Sequence, residues 1–224
     1  MSRELTAELA SWRPDAVVFD CDGLLIDTEP CWTVAETELF ARRGMGFGPA
    51  EKAFVIGKSV PAAAELLTEV FDEQGTADAI AKELLGLVEE VVGRQAEAMA
   101  GAAELVELVK AKVPVAVASN SPRGLLDAAL RRGGLTDALP VSVAADEVPA
   151  AKPAPDMYLA ACQALGVPPE RCLAFEDSMT GLLSARAAGL RIVGIPTLAH
   201  VELTADVVFG SLLDDRLRSW IDSW

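Results

Sequence analysis

Short apolar runs that stop at polar residues alternate along this chain with stretches of helical spacing. The runs are Ala16-Val17-Val18-Phe19-Asp20, Val113 to Ser119, Val141 to Ala144, Leu173 to Asp177 and Arg191 to Ile195. They are rich in β-branched residues and are bounded by turn-forming or charged ones, which reads as strands. Between the later runs the apolar positions change period. Leu105, Val106, Leu108 and Val109 recur at i, i+3 and i+4, as do Leu125, Leu126, Ala129 and Leu130. Strand and helix in alternation predict an α/β fold built on a doubly wound parallel sheet.

The first interval breaks this rhythm. About ninety residues separate the first strand from the second, far more than a βα crossover needs. Helical patterns cover about residues 30–43, 61–73 and 76–98, and Gly44-Met45-Gly46-Phe47-Gly48-Pro49 forms a hinge-like loop. The expectation is a helical domain inserted at residues 30–98, with residues 1–29 and 99–224 forming the core. No internal repeat or low-complexity tract is present.

Composition narrows the function. A chain of 224 residues suits one good-sized domain with a smaller insertion, and 51 % hydrophobic residues suffice for a large core. With 19 basic and 34 acidic residues the net charge is −15. Such a chain does not bind nucleic acid or an anionic membrane by charge. An anionic substrate must be met locally, by a metal, a few cations or backbone amides. The single histidine, His200, rules out sites built from several imidazoles and reads as a solvated or structural residue. The four cysteines, Cys21, Cys31, Cys162 and Cys172, contain no C-x-x-C pair. Met1 to Ala10 is too polar for a signal peptide, and no apolar stretch is long enough to span a membrane. The expectation is a soluble, cytoplasmic protein with reduced thiols.

Polar residues mark most strand ends. The first strand ends in Asp20-Cys21-Asp22-Gly23, the second in Ser119-Asn120-Ser121-Pro122 and the fourth in Glu176-Asp177-Ser178, with Gly181 just after. Lys152 stands in the loop before the helix that leads to the fourth strand. Ligands of open α/β sheets bind beyond the carboxyl ends of the strands. Up to four carboxylates gathered there repel one another unless a cation joins them, and Mg2+ suits oxygen ligands shared with a phosphate. Ser119 can donate to a phosphoryl oxygen, and Lys152 supplies a compact positive charge. A carboxylate can act as nucleophile through an aspartyl phosphate, with a second acid protonating the leaving oxygen. An EF-hand reading of Asp20 to Asp27 fails, because Leu24 and Leu25 stand where it needs an acid and a glycine. Asp27 reads as a structural loop acid, Thr28 and Glu29 before Pro30 as a helix start, and Ser121-Pro122 as an N-cap and first helical residue.

In this order the motifs resemble those of the haloacid dehalogenase superfamily. Phe19-Asp20-Cys21-Asp22-Gly23-Leu24-Leu25-Ile26-Asp27-Thr28-Glu29-Pro30 is similar to the first motif of its sugar-phosphate phosphatases and β-phosphoglucomutases. Ser119-Asn120, Lys152-Pro153 and Glu176-Asp177-Ser178 with Gly181 match the second, third and fourth. The resemblance implies a Rossmann-like core of strand order 3-2-1-4-5 and a helical cap inserted after the first motif. It implies Asp20 as nucleophile and Mg2+ ligand, and Asp22 as general acid/base with its backbone carbonyl on the metal. Asp177 would ligate directly, and Glu176 directly or through water. Ser119 and Lys152 would hold the phosphate, and Asn120 would help to hold phosphate or substrate.

The second aspartate points to phosphate esters rather than to carbon–halogen bonds. A β-phosphoglucomutase carries a His shortly after the first motif and an Arg after a cap glycine. Here Glu29-Pro30-Cys31-Trp32-Thr33 lacks the one and Ile56-Gly57-Lys58-Ser59-Val60 lacks the other. The Glu-Pro-x-Trp pattern looks more like hexose-phosphate phosphatases. The expected activity is therefore Mg2+-dependent hydrolysis of a small phosphorylated metabolite, with Lys58 as a substrate contact from the cap. A phosphomutase is the alternative. A non-enzymatic phospho-aspartyl switch is more remote, because it lacks the second acid and the insertion. Neither the substrate nor the oligomeric state can be read from the sequence.

Overall fold

The computed structural model describes residues 6–56, 58–197 and 203–224; His200 and Gly57 lie outside the described residues. In chain order the elements are α1 (Ala7–Ser11), β1 (Ala16–Phe19), β2 (Ile26–Asp27), α2 (Glu29–Ala41), α3 (Pro49–Val55), α4 (Val60–Phe71), α5 (Ala77–Gln95), β3 (Glu97–Ala98), α6 (Ala102–Lys110), β4 (Val115–Ser119), α7 (Arg123–Arg132), β5 (Val141–Ala144), α8 (Asp156–Leu165), β6 (Cys172–Glu176), α9 (Met179–Ala188), β7 (Arg191–Gly194), β8 (Val207–Val208) and α10 (Asp215–Asp222). The chain divides into two compact units, one made of Met1–Asp27 with Glu97–Trp224 and the other of Thr28–Ala96.

The larger unit is a Rossmann-like α/β layer structure. Its main sheet is parallel and runs β5-β4-β1-β6-β7-β8. Counted along this sheet, that is the expected order 3-2-1-4-5 with a sixth strand added at the edge. β1 sits at the centre, with Val18 opposite Ala116 of β4 and Ala174 of β6. All four of its residues are buried, as befits a strand with helices on both faces. On one face Ala16, Val18, Ala116, Ala118, Cys172 and Ala174 line a core cluster with Met157, Tyr158 and Cys162 of α8 and Leu182 of α9. The small strand residues let α8 lie close to the sheet. The rings of Phe19 and Phe175 meet at a tilt of 31° with centroids 5.1 Å apart, and their alternation puts them on the opposite face.

The five main strands fall where the apolar runs predict them, but the ends and short elements differ. Residues 97 and 98, expected to end a helix, leave α5 at the extended residue Ala96 and pair as β3 with β2, Glu97 against Asp27. Pro122 is the N-cap of α7 rather than its first helical residue, and Ser121 does not cap that helix. Ser121 turns its hydroxyl to Asp22 instead. α1, α3, α10, β2, β3 and β8 have no counterpart among the elements that the sequence predicts.

The smaller unit is helical. α2 and α4 each pack against α5. Phe40 of α2 meets Phe47 and Phe71 edge-on, with centroids 5.0 and 4.8 Å away. Arg43 lies over Phe71 and binds Glu73 and Glu83. Lys52 bridges Glu29 and the buried Glu36. Lys58 is exposed just before Ser59, whose side chain caps α4.

Candidate active site

The register of three parallel strands builds the site. Phe19 pairs with Val117 of β4 and with Phe175 of β6, so the chain beyond each strand emerges on one edge of the sheet. Asp20 follows β1, Ser119 ends β4, Glu176 ends β6 and Asp177 comes next. Lys152, from the loop before α8, reaches into the same place. Its ammonium donates to Asp20 Oδ1 at 2.5 Å and to Glu176 Oε1 at 2.7 Å. Asp20, Lys152, Ser119 and Glu176 are all buried.

Asp22 faces β4. Its Oδ2 accepts from Ser119 Oγ at 2.6 Å and from Ser121 Oγ at 3.0 Å. Its Oδ1 is buried and has no partner among the described residues. Ser119 Oγ also accepts the backbone N–H of Ser121 at 2.9 Å. Asn120 spends both halves of its amide on Lys152: Nδ2 donates to the Lys152 carbonyl at 3.2 Å, and Oδ1 accepts the Lys152 N–H at 2.9 Å. These two bonds tie the lysine loop to the end of β4. Lys58 belongs to the smaller unit.

The close approach of acids is possible because two glycines stand beside them. Gly23 adopts a φ of +84°, and a Cβ there would sit 2.5 Å from Asp177 Oδ2. At Gly181, in the first turn of α9, a Cβ would fall 1.8 Å from Glu176 Oε1. That turn is capped by Ser178 Oγ, which accepts from Gly181 N–H and donates to Glu176 Oε2 at 3.2 Å.

Electrostatics follow from burial. Burial holds the Asp20 carboxyl well above the usual range, while Lys152 pulls it back and Glu176, Asp177 and Asp22 push it up. Asp177 is pushed up to about 6, chiefly by burial, against a hydrogen bond from Thr197 Oγ1 at 2.8 Å. Burial opposes the charge on Lys152, but Asp20 and Glu176 outweigh it and raise the lysine above its ordinary value.

This donor set fits a hard divalent cation. Asp20, Glu176 and Asp177 each bring one carboxylate oxygen within 4.8 Å of the others. All are oxygen donors, and one lysine does not neutralise them, so their chemistry suits a hard divalent cation such as Mg2+. The Asp22 side chain lies outside this set; the expectation for it concerned its backbone carbonyl.

Three contributors escaped the sequence reading: Ser121, Thr197 and Tyr158. Tyr158 is the only tyrosine of the chain. It lies one turn into α8, 18 residues from Glu176, yet its hydroxyl donates to Glu176 Oε1 at 2.5 Å. A lone tyrosine two residues after the Asp156 that follows Lys152-Pro153 was the only available signal.

The family model for haloacid dehalogenase-like hydrolases matches residues 14–189. The chain belongs to that family. CbbY of Rhodobacter capsulatus is 36 % identical over 195 residues, 81 % of this chain and 85 % of that protein. The fructose-1-phosphate phosphatase YqaB of Escherichia coli is 31 % identical over 81 % of this chain and 96 % of its own length. The bifunctional riboflavin kinase/FMN phosphatase of Arabidopsis thaliana is 32 % identical over 91 % of this chain, which spans only 55 % of that longer protein. Among solved structures, CbbY of Rhodobacter sphaeroides in complex with phosphate superposes with a TM-score of 0.75, at 27 % identity over 90 % of this chain and 96 % of that one. This family member is an enzyme of the phosphatase kind, and no described helix is long and apolar enough to cross a membrane.

Proposed function

We propose that this phosphatase hydrolyses small phosphate monoesters, sugar phosphates or similar metabolites, with Mg2+ and through an aspartyl phosphate on Asp20. It would do so in the cytoplasm. One observation carries the reading: a buried aspartate held by a lysine, with a second aspartate two residues on in hydrogen-bond contact with a serine. Mg2+ held by Asp20, Glu176, Asp177 and the Asp22 carbonyl would offset the negative charge gathered at the phosphoryl group.

The chain's own residues divide the remaining work. An Asp20 carboxylate oxygen attacks phosphorus as the ester P–O bond breaks. Protonated Asp22 gives its proton to the departing alkoxide. The resulting Asp22 carboxylate then takes a proton from water. That water attacks phosphorus and releases phosphate and the Asp20 carboxylate. Lys152 draws the Asp20 carboxyl, raised by burial, back toward its ionised form and, with the Ser119 hydroxyl, binds phosphoryl oxygens. When a phosphoryl group draws the Ser119 donor away, Ser121 remains to hold Asp22.

The smaller unit serves as the cap in this reading, and exposed Lys58 is its candidate substrate contact. The likeness to YqaB, named for fructose 1-phosphate, supports a phosphorylated sugar as substrate. The test is release of inorganic phosphate from a panel of phosphorylated sugars, polyols and other metabolites, with Mg2+ or with EDTA. Mg2+-dependent release is expected. Full activity in EDTA, or efficient isomerisation of β-glucose 1-phosphate without phosphate release, would reject it.

A further inference from the structure

The site contains a buried group for which the chemistry above has no use. Tyr158 Oη donates to Glu176 Oε1 at 2.5 Å and lies 3.5 Å from Lys152 Nζ, whose ammonium sits 4.9 Å from the centre of the tyrosine ring. Tyrosine, lysine and glutamate are all buried. Among the described residues Glu176 Oε1 therefore has two donors, Tyr158 and Lys152, and Oε2 has the Ser178 hydroxyl at 3.2 Å. Behind the carboxylate there is no room for a side chain, since a Cβ on Gly181 would overlap both oxygens.

We propose that Tyr158 is a positioning residue of the phosphatase site, holding Glu176 and Lys152 in the poses that the cation and Asp20 require. Its hydroxyl pins Oε1, which leaves Oε2 as the oxygen that Glu176 can offer to a cation, directly or through water. Its ring gives the ammonium an attractive surface on one side, while Asp20 and Glu176 fix its direction. Without the hydroxyl, Lys152 alone would hold Oε1. The carboxylate would then be free to pivot, and the lysine would follow it away from Asp20. This role rests on the Mg2+-dependent reading above.

Two measurements test it. Tyr158→Phe keeps the ring and removes only the hydroxyl, so the fold and its packing stay. Calorimetric titration with Mg2+ alone should show affinity reduced about 10- to 100-fold, as is typical when a partner of a metal ligand is lost. The fall in kcat should exceed any change in KM for an aryl phosphate. Because the chain has one tyrosine, biosynthetic 3-fluorotyrosine gives a single fluorine resonance. That resonance should move on Mg2+ titration with the calorimetric midpoint. Wild-type-like Mg2+ affinity in Tyr158→Phe, or a resonance unmoved at saturating Mg2+, overturns the role of Tyr158 alone when the wild type is active and binds Mg2+. A wild type that binds no Mg2+ overturns both this role and the reading beneath it.

Discussion

Replacing Gly181 with alanine places a methyl group inside a carboxylate. The new Cβ would lie 1.8 Å from Glu176 Oε1, 1.9 Å from its Cδ and 2.0 Å from Oε2, so Glu176 must leave its position. It cannot leave freely, because it is fully buried and bound to Lys152, Tyr158 and Ser178. Overpacking costs about 1–3 kcal/mol. Loosened hydrogen bonds to a charged group cost about 1.5–3 kcal/mol more if not re-formed. The higher helix propensity of alanine returns about 1 kcal/mol. A net loss of about 1.5–5 kcal/mol lowers the Tm by about 3–20 °C in a chain of this size. Mg2+ affinity should fall about 10- to 100-fold, because Glu176 is displaced. Gly86→Ala is the control. Gly86 is exposed inside α5 with nothing within 4 Å of a would-be Cβ, and there the same change should stabilise by about 0.5–1 kcal/mol. Thermal melts, Mg2+ calorimetry and kcat/KM on an aryl phosphate, measured on both variants, decide the matter. A Gly181→Ala protein as stable as Gly86→Ala, with wild-type Mg2+ affinity, would refute the account of how Glu176 is held.

Two further outcomes follow from the site. Asp20→Asn should abolish turnover, whereas Asp22→Asn should keep Mg2+ and phosphate binding and lose about 10²–10⁴-fold in kcat; near-wild-type kcat in Asp22→Asn would remove it as the acid/base. Asp177, at about 6 without metal, binds its proton more tightly folded than unfolded. Its contribution to the stability of the metal-free protein is thus present below pH 4 and is lost as pH rises through 6. A cation must displace that proton, so Mg2+ affinity should climb as pH rises through about 6. Calorimetry at pH 5, 6 and 7.5 checks this, and a flat profile would count against Asp177 as a ligand.

The strands are legible because most of the buried runs stop abruptly at a polar residue, and the stops of β1, β4 and β6 meet at the candidate site. Asp20, Ser119, Glu176 and Asp177 could be found without a structure for that reason, and Lys152 by its motif. What was not legible depends on side-chain direction and on very short pairings. Val207–Val208 and Glu97–Ala98 are two-residue strands, too short to show a period. Asn120 reads in sequence as a phosphate or substrate contact, and nothing local shows that its amide also fastens the Lys152 loop. Ser121 before Pro122 reads as a helix cap, because nothing local reveals that Asp22, 99 residues away, takes its hydroxyl. Tyr158 falls on a helical face with Met157 and Ala161, where an aromatic residue ordinarily means core. It is core by its ring and part of the site by its oxygen.

The charge of the site makes a last demand. Among the described residues Asp20, Asp22, Glu176 and Asp177 face a single cation, Lys152, in a chain of net charge −15. Lys152 is already engaged by two carboxylates at 2.5 and 2.7 Å, so little of its field is left for a phosphate dianion. The metal-free protein should therefore bind phosphate weakly, and Mg2+ should raise that affinity. By linkage, phosphate must raise the affinity for Mg2+ by the same factor. Coupling between bound sites is usually about 5- to 150-fold, and the upper part of that range suits opposite charges sharing a buried cluster. Calorimetric titration of phosphate with and without Mg2+, and of Mg2+ with and without phosphate, closes the cycle. Equal phosphate affinity in both states would mean that Lys152, Ser119 and backbone amides suffice for the dianion, and that the acidic cluster does not need a cation to admit it.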